Sequence, residues 1–132
     1  MIEASPVHKH KLDPNFETNV VSIDYRGSAL LVIVEYSENR FYEIKFEQQI
    51  SAFRSMEEGD LTYYWQSNVF NDSCLVYEIV KGGWLSKEGA SIDILGIARS
   101  EDRLKEWFVP TRNDSLFVLS NTKPKVREVE HA

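Results

Sequence analysis

Nucleophilic catalysis near neutral pH needs a serine, cysteine or threonine with a base, usually histidine, within hydrogen-bonding distance. The three histidines of this chain are His8, His10 and His131, and all of them lie near the chain ends. Terminal segments are the parts of a domain least often held in place, so they are poor positions for a catalytic base. We expect Cys74, the single cysteine, to be a buried core or strand-end residue rather than a reactive thiolate.

Metal and phosphate sites have little support in the sequence. His8 and His10 alternate and Asp13 follows, so an extended chain could turn both imidazoles to one side, as a metal site requires. A fourth ligand and the groups that would orient the ligands are missing, and a solvated arm explains the segment better. The Gly82 and Gly83 pair lacks the spacing that cradles a phosphate. We therefore expect no metal and no cofactor.

Carboxylates are abundant enough to suggest acid and base chemistry. Glu57 with Glu58, or Glu35 opposite Glu43 across a predicted hairpin, has the composition of a glycosidase acid and nucleophile. The adjacent pair diverges on either a helix or a strand, so a solvated acidic face is the better explanation for Glu57 and Glu58. We expect a binding protein rather than an enzyme.

Net charge limits the classes of partner. The formal net charge is −6, which argues against general nucleic-acid binding because phosphate contacts need clustered lysine and arginine. Between residues 35 and 78, nine acids stand against three bases, so this stretch carries the whole net charge. Its acids are Glu35, Glu38, Glu43, Glu47, Glu57, Glu58, Asp60, Asp72 and Glu78.

Part of this acidic stretch interleaves carboxylates with aromatic residues. Tyrosine and tryptophan supply rigid contact area, while carboxylates steer a basic partner toward the surface. The alternative is that Tyr64 and Trp65 are core residues and the acids serve solubility. The residues predicted to bind a partner are Glu57, Glu58, Asp60, Tyr63, Tyr64, Trp65 and Asp72.

Hydrophobic patterning predicts the domain organisation and most of the strands. Residues 1–18 read as an extended N-terminal arm and residues 19–130 as a single globular domain. Two-residue alternation and one apolar run predict a three-stranded meander over 21–25, 29–34 and 40–46. Further strands are expected at 75–80, 104–109 and 116–119, the last two joined by a turn-rich hairpin connection. A short charged edge strand should follow at 126–129.

One helix is predicted between these strands. Ser55, Met56, Glu57 and Glu58 fit a capping box, which predicts a helix to about residue 66. A strand over residues 61–65 is the rival interpretation. The expected fold class is α+β and strand-dominated, with an antiparallel twisted sheet or half-barrel meander and one or two short helices.

Two segments carry a family resemblance. Residues 53–65 and 107–120 read FRSMEEGDLTYYW and WFVPTRNDSLFVLS. They resemble patterns in small bacterial proteins, some of them immunity-like proteins encoded beside contact-dependent or polymorphic toxins. The resemblance implies a cytoplasmic antidote that binds a basic toxin domain, often a nuclease, and blocks it.

The hydrophobic pattern of the chain bears on its localisation. The N-terminus has no apolar signal region, and the longest apolar run, residues 29–34, is too short to span a bilayer. We therefore expect a cytoplasmic protein with no membrane partner.

Two alternative functions stay open. One is a small enzyme with a carboxylate general acid or base, helped by Tyr63 or Arg112, and the other is a homo-oligomeric scaffold, for instance a homodimer.

Overall fold

The residues that the structure describes form nine β-strands. The computed structural model describes residues 3–7, 18–27, 29–47, 50–57, 74–81, 105–111 and 114–130, and within these ranges there is no helix. No segment in them is therefore a helix long and apolar enough to cross a membrane. The strands are β1 (Glu3–Pro6), β2 (Asn19–Arg26), β3 (Ala29–Ser37), β4 (Arg40–Phe46), β5 (Ile50–Glu57), β6 (Tyr77–Lys81), β7 (Lys105–Val109), β8 (Asp114–Ser120) and β9 (Lys125–Val129).

The strands divide between two antiparallel sheets. One sheet has five strands in the order β1-β6-β7-β8-β5, and the other has four in the order β2-β3-β4-β9. The predicted strand-dominated antiparallel fold is confirmed, and so is the meander of β2, β3 and β4. The expectation of one sheet is corrected to two, because each sheet has an apolar face that must be buried against another layer.

The core lies between the two sheets. Leu30, Val32 and Val34 alternate along β3 and are fully buried, whereas Leu31 and Ile33 between them are only half-buried. The two-residue period of a strand therefore sends one face of β3 into the core and the other to the outer surface. The core cluster that joins the two sheets comprises Leu30, Val32, Val34, Ile44, Phe46, Leu75, Val76, Trp107, Val109, Leu116 and Val118.

β8 is buried on both of its faces. Leu116 and Val118 belong to the core between the sheets, while Phe117 and Leu119 point to the opposite face and are also fully inaccessible. Phe117 stacks on Phe108 of β7 with ring centroids 4.5 Å apart. This explains why the sequence of β8 is a continuous apolar run rather than an alternating one.

Turn residues fix the hairpins that the sequence predicts. Asn39, in the turn between β3 and β4, has a φ of 56°, a left-handed conformation that asparagine tolerates better than most residues. In the connection from β7 to β8, the Ser115 hydroxyl donates to the Thr111 carbonyl and accepts from the Thr111 amide, at 3.0 and 3.1 Å. The predicted hairpin over 104–119 is thereby confirmed.

The predicted helix is wrong where the structure describes it. Ser55, Met56 and Glu57 belong to β5 and pair in register with Leu116, Ser115 and Asp114 of β8. The capping box is a local signal, and pairing with a buried neighbouring strand overrides it. Residues 58–66, which hold the rest of the predicted helix and the rival strand, lie outside the described residues.

The N-terminal arm contributes a strand to the larger sheet. Within the predicted arm of residues 1–18, β1 pairs antiparallel with β6 at the sheet edge. The pairing continues one residue further, because the Val7 amide donates to the Val76 carbonyl at 2.9 Å. The sequence left open whether this segment docks, and residues 3–7 do.

Two adjacent leucines test the assignment of strand faces. Leu30→Ala removes a fully buried side chain and should lower the free energy of unfolding by about 2–5 kcal/mol. Leu31→Ala removes the same atoms from the half-buried outer face, and we expect less than half of that loss. Urea denaturation of both variants measures the difference. Equal losses would contradict the register of β3.

Candidate functional site

The predicted partner-binding residues begin where β5 ends. Glu57 is the last residue of β5 and is in register with Asp114, the first residue of β8. The structure thus places the first of the predicted binding residues at the end of an edge strand. The other predicted residues lie outside the described residues: Glu58, Asp60, Tyr63, Tyr64, Trp65 and Asp72.

Several acids of the 35–78 stretch form ion pairs with cations from later in the chain. Arg127 Nε lies 2.9 Å from Glu43 Oε1, and Lys125 Nζ lies 3.1 Å from Glu47 Oε2. A third, longer pair, at 3.9 Å, joins Lys105 to Glu78. The acidic stretch in the sequence is therefore not one acidic surface in space.

The first two of these ion pairs lie on the outer face of the four-stranded sheet. The antiparallel register of β4 and β9 places Glu43 opposite Arg127 and Lys45 opposite Lys125. Glu47 lies within reach of both lysines, 3.9 Å from Lys45 and 3.1 Å from Lys125. The hydrogen bond from Arg127 to Glu43 raises the pKa of the guanidinium above its ordinary value. Opposite charges at facing positions stabilise the pairing of two strands.

A second polar group occupies the end of the same sheet, on its inner face. The Tyr36 hydroxyl donates to the Glu128 carboxylate, and Arg40 Nη2 lies 3.3 Å from the same oxygen. The Tyr36 ring packs 4.3 Å from the ring of Tyr42, centroid to centroid, and Arg40 lies over it. Tyr36 and Glu128 are 92 residues apart in the chain, which is why no local pattern predicted the contact.

Burial and the neighbouring carboxylate change the acidity of both tyrosines. Burial, followed by the hydrogen bond to Glu128, raises the pKa of Tyr36 to about 12. Burial also raises the pKa of Tyr42, with Glu128 as the second cause. Both phenols are therefore neutral at physiological pH, and Tyr36 acts as a hydrogen-bond donor that fastens β9 to the end of β3.

Two shallow clefts open on the four-stranded sheet. One, of about 630 Å³, lies beside the turn from β3 to β4 and includes Arg40 and Glu128 in its lining. The other, of about 460 Å³, lies over the ion pairs of β4 and β9. In the first cleft Glu128 is paired with Arg40, and in the second Glu43 is paired with Arg127. A carboxyl group that acts as a general acid is held neutral by an apolar site, whereas these two carboxylates each face a cation.

A buried carboxyl group does occur elsewhere. Glu106 of β7 is 1% exposed and lies on the face of the larger sheet turned away from the core, in register with Leu119. The sequence predicts only a strand over residues 104–109, and no motif there marks Glu106. The residues in register with it on the two neighbouring strands, Leu119 and Ile79, are apolar.

Other expectations concern single residues and metals. Cys74 is buried, at 4% exposure, and its Sγ lies 2.9 Å from the Val76 carbonyl oxygen, which confirms a core or strand-end position. Among the described residues no group of three or more His, Cys, Asp or Glu side chains could hold a metal ion. His8, His10 and His131 lie outside them.

Comparisons with known proteins give no match. No family model matches the chain, and neither the curated proteins nor the solved structures contain a significant match to it. Function is therefore inferred from the arrangement of the residues themselves.

Tyr36 gives the protein a distinctive response to high pH. Because the pKa of Tyr36 in the folded protein, about 12, lies above the ordinary tyrosine value of 10.0, its contribution to the free energy of unfolding is complete below pH 10 and is lost as the pH rises toward 12. Tyr36→Phe should remove this part of the pH dependence of the free energy of unfolding. The difference in tyrosinate absorbance between wild type and Tyr36→Phe should titrate near pH 12. A difference that titrates near pH 10 would contradict the buried contact with Glu128.

Proposed function

We propose that this chain is a binding protein that neutralises a basic toxin domain, such as a nuclease, through the acidic and aromatic segment of residues 57–72. The partner's cationic surface would meet carboxylates in place of phosphate. The family resemblance of residues 53–65 and 107–120 supports the same role.

This proposal rests on which acidic residues have lysine or arginine nearby and which do not. Between Arg54 and Lys81 the sequence has five acids and no lysine or arginine. One of the five, Glu78, is paired with Lys105 at 3.9 Å. The other four, Glu57, Glu58, Asp60 and Asp72, all belong to the predicted partner-binding residues. The stretches that fold into the outer face of β4 and β9 neutralise their own acids, whereas residues 57–72 bring no cation of their own.

The sheet gives this segment a rigid starting point. β5 pairs along its whole length with β8, and β8 is buried on both faces. Binding residues that leave a rigid strand lose less conformational entropy on association than residues on a free chain. The aromatic residues Tyr63, Tyr64 and Trp65 would then supply contact area at low entropic cost.

Each alternative function has one observation in its favour. The buried Glu106 favours a carboxylate enzyme, although the open clefts with paired charges do not. Exposed apolar side chains on β2 and β5 favour a homo-oligomer, and light scattering in solution tests that directly. Neither observation explains why residues 57–72 contain four acids and no lysine or arginine.

A pair of charge-reversal variants tests the proposal. Replacing Glu58, Asp60 and Asp72 with lysine, or instead the exposed Glu3, Glu38 and Glu130, changes three negative charges to positive and brings the formal net charge from −6 to zero. The proteins encoded by the neighbouring genes are first screened for a basic domain that the wild type neutralises, and each variant is then co-expressed with that domain while growth rescue and the association rate are measured. The first variant should lose rescue and associate about tenfold or more slowly.

The second variant is the matched control, because it has the same net charge. It should keep rescue and most of the association rate of the wild type, with a steep dependence on salt. Equal losses in both variants would show that only net charge matters. Full rescue by the first variant, or no neutralisation by the wild type, would refute the proposed site or the proposed function respectively.

A further inference from the structure

One side of the molecule exposes apolar side chains between the two sheets. β2 is an edge strand of the four-stranded sheet and β5 an edge strand of the five-stranded sheet. The two meet where the rings of Tyr25 and Phe53 lie 5.5 Å apart, centroid to centroid. Three of the large hydrophobic residues that are exposed among the described residues lie on these inner faces; this β2–β5 seam consists of Ile23, Tyr25 and Phe53.

The seam is an extension of the core. Ile23 and Tyr25 are in register with Val32 and Leu30 of β3, both fully buried. Phe53 is in register with Val118 of β8, which is fully buried as well. Because facing residues of paired strands share a face, the apolar inner faces of both sheets continue to this side of the molecule. There Tyr25 remains 52% and Phe53 37% exposed.

The backbone of β5 makes the seam suitable for an added strand. β5 pairs with β8 on one side, and no described strand pairs with it on the other. Edge strands are usually protected by charge, proline or short length. Along β5 the only charge before Glu57 is Arg54, and its guanidinium lies 5.4 Å from the Phe117 ring on the face away from the seam.

Charge decides which occupant fits. The register pairs two acidic residues, Glu57 and Asp114, at the end of β5. A basic segment complements the charge of this end of the strand, whereas a second copy of this chain, with a net charge of −6, would bring further negative charge to it. We propose that an extended segment of the basic partner, with alternating cationic and apolar residues, adds to the free edge of β5 and covers Tyr25 and Phe53. This proposal rests on the proposed function, since it names how that partner docks.

A peptide probe tests the docking without the toxin. The probes are the acetylated and amidated hexapeptides of repeated Lys-Val and of repeated Glu-Val, titrated into the full-length protein labelled with ¹⁵N. We expect the cationic peptide to shift the backbone amides of residues 53–57 and 23–25 in a salt-sensitive manner. The acidic peptide should cause no shift at the same concentration. Equal shifts from both peptides would overturn the electrostatic part of the proposal, and no shift from either, or shifts confined to β1 or β9, would overturn the docking site.

Matched serine variants test the apolar contact. Phe53→Ser should weaken binding of the cationic peptide by about tenfold or more. Val80→Ser makes the same kind of change at a side chain that is 59% exposed on β6, an interior strand of the same sheet, and should leave binding unchanged. Tyr25→Ser provides a second seam variant if Phe53→Ser unfolds, and thermal unfolding identifies that case. Equal binding by all variants would exclude the seam.

Three further outcomes distinguish between the possible occupants of the seam and between the two proposals. Concentration-dependent amide shifts at residues 53–57 without peptide would show that a second copy fills the seam, and would overturn the basic segment as its occupant. Peptide binding that fails while the toxin is still neutralised would contradict only docking at β5. Peptide binding at the seam with no neutralisation by the wild type would contradict the proposed function alone.

Discussion

An open β-sheet has two edge strands whose outward backbone groups are left without partners, and this constraint governs the molecule. Packing the two sheets together buries the apolar side chains of Leu30, Val32, Leu116 and Val118. It provides no hydrogen-bond partners for the outward backbone groups of the edge strands. The described sheets have four edges, formed by β1, β5, β2 and β9. The residues of each edge strand determine whether a strand of another chain can pair with it.

Three of the edge strands have features that disfavour pairing with another strand. β9 places Lys125 and Arg127 on the outer face, in ion pairs with acids near β4, and β1 has only four residues and ends in Pro6. β2 has an irregularity in its pairing after Val20 and an ion pair between Asp24 and Arg26. β5 has an irregular start, yet it continues as a regular edge from residue 52 to Glu57 and presents Phe53 to the seam. Among the described residues, the unpaired edge of β5 ends at Glu57, and the acidic segment of residues 57–72 begins there in the sequence. The two proposals therefore concern neighbouring parts of the chain.

The sequence predicted those features that depend on local patterns. Alternation and turn residues identified β2, β3, β4, the β7–β8 hairpin and the charged edge strand β9. The capping box at Ser55 misled because a local helix signal was overridden by pairing with β8. The division into two sheets and the contact of Tyr36 with Glu128 could not be predicted, since they depend on residues far apart in the chain. The ion pair between Glu43 and Arg127 was missed for the same reason.

Amide hydrogen exchange along β5 in the isolated protein tests the account most directly. If β5 is a free edge, every second amide from Phe53 to Met56 points away from β8 and should exchange almost as fast as in an unstructured chain. The intervening amides should be protected by their hydrogen bonds to β8. Protection of all these amides would show that another part of the molecule already occupies this edge, and it would contradict the open seam on which docking at β5 depends.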